Sequence, residues 1–217
     1  IGIVLSGSPL FTGDAGSGES EIRKWIIEND WLECIVQLPD QMFFNTGIAT
    51  CFWILTNKKA EKRKGKVQLI NGSSFFKEMK KSLGSKRKEI SKEQSDQLFN
   101  IYLGFEECKF SKIFENNFFG YTKVVVEQPL KVKEVEITNK KGEFKPDTTK
   151  RDSERIPLLE DINQYFRREV EPHLENAWMD RTKDKIGYEI NFTKYFYKFN
   201  PLREPNQILE EIENLNN

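Results

Sequence analysis

The amino-acid sequence predicts an α/β fold, in which a sheet of mixed strands is flanked by helices. Two short segments, residues 34–36 and 51–55, are almost continuously apolar, which is typical of strands that are buried on both faces of a sheet. Elsewhere apolar residues recur at intervals of three and four, the spacing of helices with one buried face. A chain of 217 residues is long enough for one domain, or for one domain with an appendage.

The first strand is predicted at residues 1–5, which are apolar enough to be buried. A chain that opens inside a strand and without Met is expected to have been cut from something longer. A glycine-rich loop at residues 13–18 follows and leads into a helix, an arrangement that binds phosphates in nucleotide-binding proteins. The spacing is Gly-x-x-Gly-x-Gly, however, and no acidic residue ends the next strand. We therefore favour a flexible or partner-contacting loop over a cofactor site.

Helices are predicted where apolar residues are spaced by three or four. The first predicted helix spans residues 19–29 and directs Ile22, Trp25 and Ile26 inward, and the second spans residues 73–83 with the stripe Phe75, Met79 and Leu83. The third starts at a capping box of Ser91 and Gln94 and buries Leu98, Ile101 and Tyr102. The fourth spans residues 159–170, and its stripe is Ile162, Tyr165 or Phe166, and Val170. Further strands are predicted at residues 32–38, 48–56, 66–70 and 121–127.

A loop at residues 37–48, here called the aromatic loop, separates the second and third predicted strands. Pro39 ends the strand, and Asn45, Thr46 and Gly47 supply turn chemistry, because Asn and Gly tolerate positive φ. Two adjacent rings, Phe43 and Phe44, lie between them. Taken singly, each ring is more easily explained as a plug in the core, but loops at strand ends are also where binding sites lie.

Net charge is zero, with 34 Lys and Arg against 34 Asp and Glu, so the whole chain is not expected to be steered toward nucleic acid. Positive charge is concentrated locally. A basic turn at residues 57–65 carries Lys58, Lys59, Lys62, Arg63 and Lys64 against Glu61 alone, and a second patch contains Lys77, Lys80, Lys81, Lys86, Arg87 and Lys88. A charge run is usually a solvated turn; the alternative is contact with DNA phosphates.

Three cysteines, Cys34, Cys51 and Cys108, form an odd set without Cys-x-x-Cys spacing. This argues against a disulfide framework or a zinc site and for a reducing, cytoplasmic location. No apolar run reaches transmembrane length, so we expect no membrane partner. The single histidine, His173, has no acidic or Cys partner nearby and is expected to be a capping or surface residue.

The second half of the chain is less regular. Residues 131–155 are polar and charged, which predicts an excursion or linker, with a weak strand at residues 132–138. We therefore divide the chain at residues 1–130, 131–155 and 156–217. Aromatic and basic residues interleave over residues 188–199, a pattern that can stack bases but more often forms a strand and turn packed on its parent domain. A helix predicted from Pro205 carries the stripe Ile208, Ile212 and Leu215, which suits a partner helix.

Six blocks of sequence, taken together, resemble one family in order along the chain. They are residues 7–23 (GSPLFTGDAGSGESEIR), 25–33 (WIIENDWLE), 38–50 (LPDQMFFNTGIAT), 63–70 (RKGKVQLI), 119–124 (FGYTKV) and 187–198 (GYEINFTKYFYK). The resemblance is to the modification subunit of type I restriction-modification systems, an adenine-N6 DNA methyltransferase that uses S-adenosylmethionine. It implies that this chain is the C-terminal portion of a Rossmann-like methyltransferase sheet, followed by a mixed region that ends in a helix.

The resemblance also assigns roles. It implies that the aromatic loop lies beside the target-base pocket, with Phe43 as the first candidate for a ring on a flipped adenine and Asn45, Thr46 and Gly47 shaping the loop. The family's cofactor turn and its Asn-Pro-Pro-Phe-like motif lie upstream of the region that this chain resembles; Asn200-Pro201-Leu202 is no substitute. No catalytic, cofactor-binding or metal-binding residue, and no bound cofactor, is therefore expected in this chain.

By the same resemblance, the partners of the intact protein are double-stranded DNA, a specificity subunit and, in the restriction complex, the restriction subunit. A different class of function stays open. The chain could be a non-catalytic assembly module that binds the specificity subunit through its C-terminal helix, or a DNA-binding module that uses its two basic patches.

Overall fold

The computed structural model describes residues 1–133 and 135–199, together with Pro205, Ile212 and Asn214. Its strands are β1 (Gly2–Ser6), β2 (Leu32–Gln37), β3 (Thr50–Leu55), β4 (Lys66–Asn71), β5 (Lys77–Leu83), β6 (Lys86–Glu89), β7 (Ser111–Glu115), β8 (Gly120–Glu127), β9 (Lys131–Val132), β10 (Val135–Glu136), β11 (Asp152–Pro157) and β12 (Trp178–Tyr188). Its α-helices are α1 (Gly18–Glu28), α2 (Lys92–Gly104), α3 (Ile162–Glu169) and α4 (Phe192–Phe196).

A five-stranded sheet with the order β1-β3-β2-β4-β7 forms the centre of the molecule. β2 and β4 run parallel, whereas every other neighbouring pair in this sheet is antiparallel. The predicted mixed α/β architecture is thereby confirmed. In the parallel pair Gln37 lies opposite Asn71, so both strands end at the same edge of the sheet, and the aromatic loop leaves the sheet there.

Both faces of the central sheet are covered, as the apolar run in β2 predicts. On one face Ile35 and Leu69 pack in a core that includes Ile27 of α1. On the other face Cys34, Val36 and Ile70 meet Leu98, Ile101 and Tyr102, which α2 directs inward. Burial of such an aliphatic side chain stabilises the fold by about 1.5–3 kcal/mol. The predicted capping box also forms, because the Ser91 hydroxyl accepts from the Gln94 amide and the Gln94 side chain accepts from the Ser91 amide.

A second, antiparallel sheet has the order β11-β8-β12. β11 starts at Asp152, so the range predicted as a linker contributes a strand, while β9 and β10 within the predicted strand at 132–138 form only a two-residue pairing. Helix α3 packs Phe166 and Val170 on Val126 of β8, which confirms the buried stripe predicted there. After β12, Ile190 and Phe192 enter the core of the central sheet. Residues 188–196 therefore pack on the parent domain as predicted, although α4 replaces most of the expected strand and Tyr197 and Phe199 are exposed.

The helix predicted at residues 73–83 is wrong. Residues 77–83 instead form β5, which pairs with β6 in an isolated two-stranded hairpin, here called the basic hairpin (residues 77–89). Gly84 takes a φ of +62° and reverses the chain, and Leu83 is exposed instead of joining an inward stripe. The spacing of four is misleading because the three apolar residues do not share a buried face: Phe75 is buried ahead of β5, whereas no residue of β5 is buried.

The inward face predicted for α1 is wrong for two of its three residues, while Ile26 packs on the core as predicted. Ile22 and Trp25 are 60% and 57% exposed, whereas Ser20, Arg23 and Ile27 are buried. The Arg23 guanidinium donates to the backbone carbonyls of Pro9, Thr12, Gly13 and Tyr188, at 2.6–3.4 Å. A buried guanidinium with four acceptors fixes the orientation of the helix more firmly than its apolar stripe does.

β1 is an edge strand and is not buried as expected, since Ile3 and Val4 are 38% and 45% exposed. Of the C-terminal helix, Pro205, Ile212 and Asn214 are described and helical, and Ile212 is half exposed. Ile208 and Leu215 lie outside the described residues, so the partner stripe stays a prediction.

Candidate functional site

The aromatic loop projects from the carboxyl end of β2 and exposes one ring. Phe44 is 62% exposed and Ile48 is 58% exposed, while Phe43, the ring favoured from the sequence, is half-buried. A β-bridge between Phe43 and Thr46 closes a tight turn that leaves Asn45 exposed. The structure thus places Phe43, Asn45 and Thr46 in one turn with Gly47 directly after it, and adds Phe44 as the more exposed ring.

The basic hairpin braces this loop, a contact that the predicted helix at residues 73–83 could not reveal. The Ser85 amide donates to the Phe44 carbonyl at 2.9 Å, and the amides of Arg87 and Lys88 donate to the Gln41 carbonyl at 2.9 and 3.2 Å. Gln41 has a positive φ of 56°, a conformation uncommon for a residue other than glycine. The hydrogen bonds from the hairpin therefore stabilise the loop in a backbone conformation that is unfavourable for Gln41 in free energy.

A groove of about 550 Å³ lies next to the same edge of the sheet. Gly7 and Gln37, at the ends of β1 and β2, form one wall, and Ile190, Asn191 and Phe192 form another. The groove is mostly apolar with a few polar groups, a composition that suits a small organic ligand more than an ion.

The glycine-rich loop at residues 13–18 is packed closely by side chains of the protein itself. A Cβ on Gly13 would lie 2.3 Å from the Ser17 hydroxyl, and one on Gly16 would lie 3.0 Å from the Lys185 side chain. Asp14 pairs with Lys123 and with Arg155, and the hydrogen bond from Lys123 is the main cause that lowers the pKa of Asp14. The protein's own side chains thus pack closely on this loop, and the absence of a cofactor site there stays a prediction.

Two of the five predicted phosphate contacts in the basic turn require correction. Arg63 is 4% exposed; its Nε lies 3.3 Å from the Glu33 carboxylate, and its guanidinium stacks 4.3 Å from the ring centres of Tyr102 and Phe105. Lys59 is 8% exposed and donates to Asp30 at 2.6 Å. These cations are buried in the fold and cannot reach DNA.

The other three cations of the basic turn are exposed. Lys64 pairs with Glu61, Lys62 donates to the Leu103 carbonyl at 3.1 Å, and Lys58 lies at the start of the turn. The structure leaves these three available, and contact with DNA stays a prediction for them. His173 is exposed in the turn after α3, as expected for a surface residue.

Side chains suited to other chemistry are not grouped. Within the described ranges 1–133 and 135–199, His, Cys, Asp and Glu form no cluster of three that could hold a metal ion. Burial raises the pKa of the Cys51 thiol to about 11 and that of the Cys34 thiol further, so neither thiol is a ready nucleophile. In the described part of the chain, every helix is too short or too polar to span a bilayer.

Comparison with known proteins gives consistent matches. The type I restriction enzyme MjaVII methylase subunit of Methanocaldococcus jannaschii is 34% identical over 116 residues, which are 53% of this chain and 19% of that protein. The HindI methylase subunit of Haemophilus influenzae is 51% identical over 55 residues, 25% of this chain and 12% of that protein. The matched regions thus span a fifth or less of the length of these relatives.

Among solved structures, the type I restriction-modification methyltransferase subunit of Streptococcus thermophilus matches with a TM-score of 0.47 at 26% identity, covering 54% of this chain and 23% of that one. The sequence model of the N-6 DNA methylase family matches residues 1–148, which include the central sheet, the aromatic loop and the basic hairpin. By this match over more than half of its length, the chain belongs to the N-6 DNA methylase family.

Proposed function

We propose that this chain is part of the methyltransferase subunit of a type I restriction-modification system. The intact subunit would transfer a methyl group from S-adenosylmethionine to N6 of an adenine in double-stranded DNA. The observation that supports this most directly is the family match over residues 1–148. The central sheet would then be part of a larger, Rossmann-like sheet, and the chain would act in a cytoplasmic complex with the specificity and restriction subunits.

Within that subunit, the aromatic loop would form a wall of the target-base pocket. An enzyme that modifies a base must take the base out of the duplex, and aromatic side chains commonly stack on the extruded ring. Phe43 is the first candidate for this contact, and Phe44 is the second because its ring is 62% exposed. Asn45, Thr46 and Gly47 would keep the two rings at the tip of a tight turn.

The 217 residues alone would not transfer methyl groups. They contain no Asn-Pro-Pro-Phe-like string to accept hydrogens from the adenine amine, and the close packing of Ser17 and Lys185 on the loop at residues 13–18 argues against a cofactor site there. Calorimetry of this chain with S-adenosylmethionine should therefore show no heat of binding. A clear binding isotherm would contradict the proposal that the cofactor site lies in another part of the subunit.

The test of the loop uses the longest open reading frame that contains this sequence, assayed with tritiated S-adenosylmethionine on unmethylated genomic DNA. Because base–aromatic stacking is worth about 1–3 kcal/mol, loss of the contacting ring in Phe43→Ala or Phe44→Ala should lower kcat/KM by about 5-fold to 150-fold. Cofactor affinity should not change. Phe99→Ala is a matched control, since Phe99 is 56% exposed on α2 and does not belong to the loop. Unchanged turnover in both loop variants would refute the assignment.

A further inference from the structure

We propose that the basic hairpin binds the phosphate backbone of the target DNA and, through its contact with the aromatic loop, positions that loop against the strand it binds. The inference rests on the proposed function for the identity of the nucleic acid. It assigns a DNA-binding element to a part of the chain that lies outside the predicted base pocket and outside the basic turn.

The basic hairpin carries charge that the fold does not compensate. Residues 77–89 contain six Lys and Arg against two Glu. Lys77 lies 3.8 Å from Glu93, and Lys88 lies 2.5 Å from Asp40. Lys80, Lys81 and Arg87 are exposed and form no ion pair with any described residue. In a chain of zero net charge, this hairpin concentrates positive charge, and counterion release on contact with DNA phosphates favours binding there.

That charge lies directly beside the aromatic loop. Three backbone hydrogen bonds of 2.9–3.2 Å join Ser85, Arg87 and Lys88 of the hairpin to the loop carbonyls of Phe44 and Gln41. In addition, the Lys86 ammonium lies 5.4 Å from the centre of the Phe44 ring. A phosphate bound by the hairpin would therefore be held at a fixed position relative to the two rings.

The hairpin and the loop meet at a glycine. Gly84 has a φ of +62°, and a Cβ at this position would lie 2.6 Å from the Phe44 carbonyl oxygen. Both the conformation and the close approach require glycine, so the sequence of the hairpin is adapted to contact the loop. An isolated two-stranded hairpin is marginally stable in water, and this contact supplies the support that a projecting arm needs.

Lysines on exposed strands also protect edges against aggregation, and this is the competing explanation for the charge. The two explanations differ in their dependence on salt. Phosphate binding predicts that removing these cations changes the salt dependence of DNA affinity, whereas edge protection predicts that affinity is unaffected.

The first experiment measures binding of this chain to a fluorescent 20-base-pair duplex between 50 and 200 mM salt by anisotropy. Lys80→Gln/Lys81→Gln/Arg87→Gln should weaken binding and reduce the slope of log K against log salt by about 0.9 for each phosphate that the variant no longer neutralises. The control is Lys140→Gln/Lys141→Gln/Lys145→Gln, which removes equal charge from exposed positions in the 131–155 region. An unchanged slope in the hairpin variant, or an equal change in the control, would overturn the proposal.

The second experiment tests the coupling by hydrogen exchange of peptides that cover the aromatic loop. DNA should slow exchange of residues 41–48 in the wild type and not in Gly84→Ala, because the added methyl group would displace Phe44. Gly142→Ala is the control, since Gly142 also has a positive φ, +81°, but no neighbour within 4 Å of an added Cβ. Equal DNA-induced protection in wild type and Gly84→Ala would show that the hairpin does not position the loop.

Failure of this inference can be told apart from failure of the proposed function. If the intact subunit methylates DNA while the hairpin triple variant keeps the wild-type salt slope, the hairpin proposal is wrong and the proposed function stands. If the intact subunit transfers no methyl group although the salt slope depends on the hairpin, then the hairpin binds DNA and the proposed function is wrong.

Discussion

The basic turn and the basic hairpin are both rich in lysine and arginine, yet their cations differ in burial. In the turn, Lys59 and Arg63 are buried, because Asp30 and Glu33 supply oxygen acceptors for them. In the hairpin, the cations that lack acidic partners stay in solvent. A charge run therefore indicates an exposed surface only when no distant segment brings carboxylates to it.

The largest expected difference between the two regions comes from Arg63→Ala. Among the described residues, the variant leaves Glu33, which is 8% exposed, with the Tyr102 hydroxyl as its one side-chain hydrogen-bond donor, at 2.9 Å. Removing one partner of a buried ion pair costs about 3–5 kcal/mol. We expect the free energy of unfolding in urea to fall by about this amount, toward its lower end because Tyr102 remains.

Lys62→Ala is the matched control for Arg63→Ala, because it lies one residue away and is exposed. Surface substitutions of this kind change stability by less than about 0.5 kcal/mol. If Arg63→Ala and Lys62→Ala were equally stable, the buried pair would contribute nothing and the contrast between the turn and the hairpin would disappear.

A smaller effect is expected from pH at the Asp30–Lys59 pair. Burial by itself would raise the pKa of Asp30, but hydrogen bonds from Lys59, the Gly65 amide and Asn116 outweigh it and lower that pKa below 3.8. The pKa of Lys59 is also lowered; here burial is the main cause, and the hydrogen bond to Asp30 opposes it. Folding lowers the pKa of Asp30. The stability that Asp30 contributes is therefore fully present at a pH above its pKa in the unfolded chain, and it is lost as the pH falls through its pKa in the folded chain.

Urea unfolding between pH 3 and pH 7 measures this contribution. Asn is chosen because, like Asp, it tolerates the positive φ of residue 30. Asp30→Asn should be less stable than wild type at pH 6 and should lose less stability on acidification. Plots of unfolding free energy against pH for the two proteins should therefore converge at low pH. Asp96→Asn, in an exposed pair with Lys92 on α2, should run parallel to wild type. Parallel curves for Asp30→Asn and wild type would contradict the assignment.

The smallest effect is expected in the hairpin. Lys80→Gln/Lys81→Gln/Arg87→Gln removes three exposed cations that form no ion pair with the described residues, so each change should alter the free energy of unfolding by less than about 0.5 kcal/mol. Thermal and urea unfolding of the triple variant would check this. A loss as large as that of Arg63→Ala would mean that the hairpin charge is structural and that the two regions do not differ.

Much of the fold can be predicted because it depends on local patterns. The apolar runs of β2 and β3, the inward stripes of α2 and α3, and the capping box at Ser91 all follow from nearby residues. The helix prediction at residues 73–83 fails since periodicity is evidence only where a face is buried, and β5 buries none. The predicted orientation of α1 fails because four carbonyls, one of them 165 residues away in sequence, bind the Arg23 side chain.

The sequence by itself determined the mixed α/β class, the family resemblance and the turn chemistry of the aromatic loop, since these depend on the order and spacing of residue types. Only the tertiary structure decided which ring of the loop is free, which cations of the basic turn are buried, and that the hairpin carrying the remaining charge holds the loop. Those outcomes depend on acceptors and surfaces supplied by distant segments. Long-range contacts of this kind, such as Ser85 with Phe44 or Arg63 with Tyr102, leave no periodic signal in the chain.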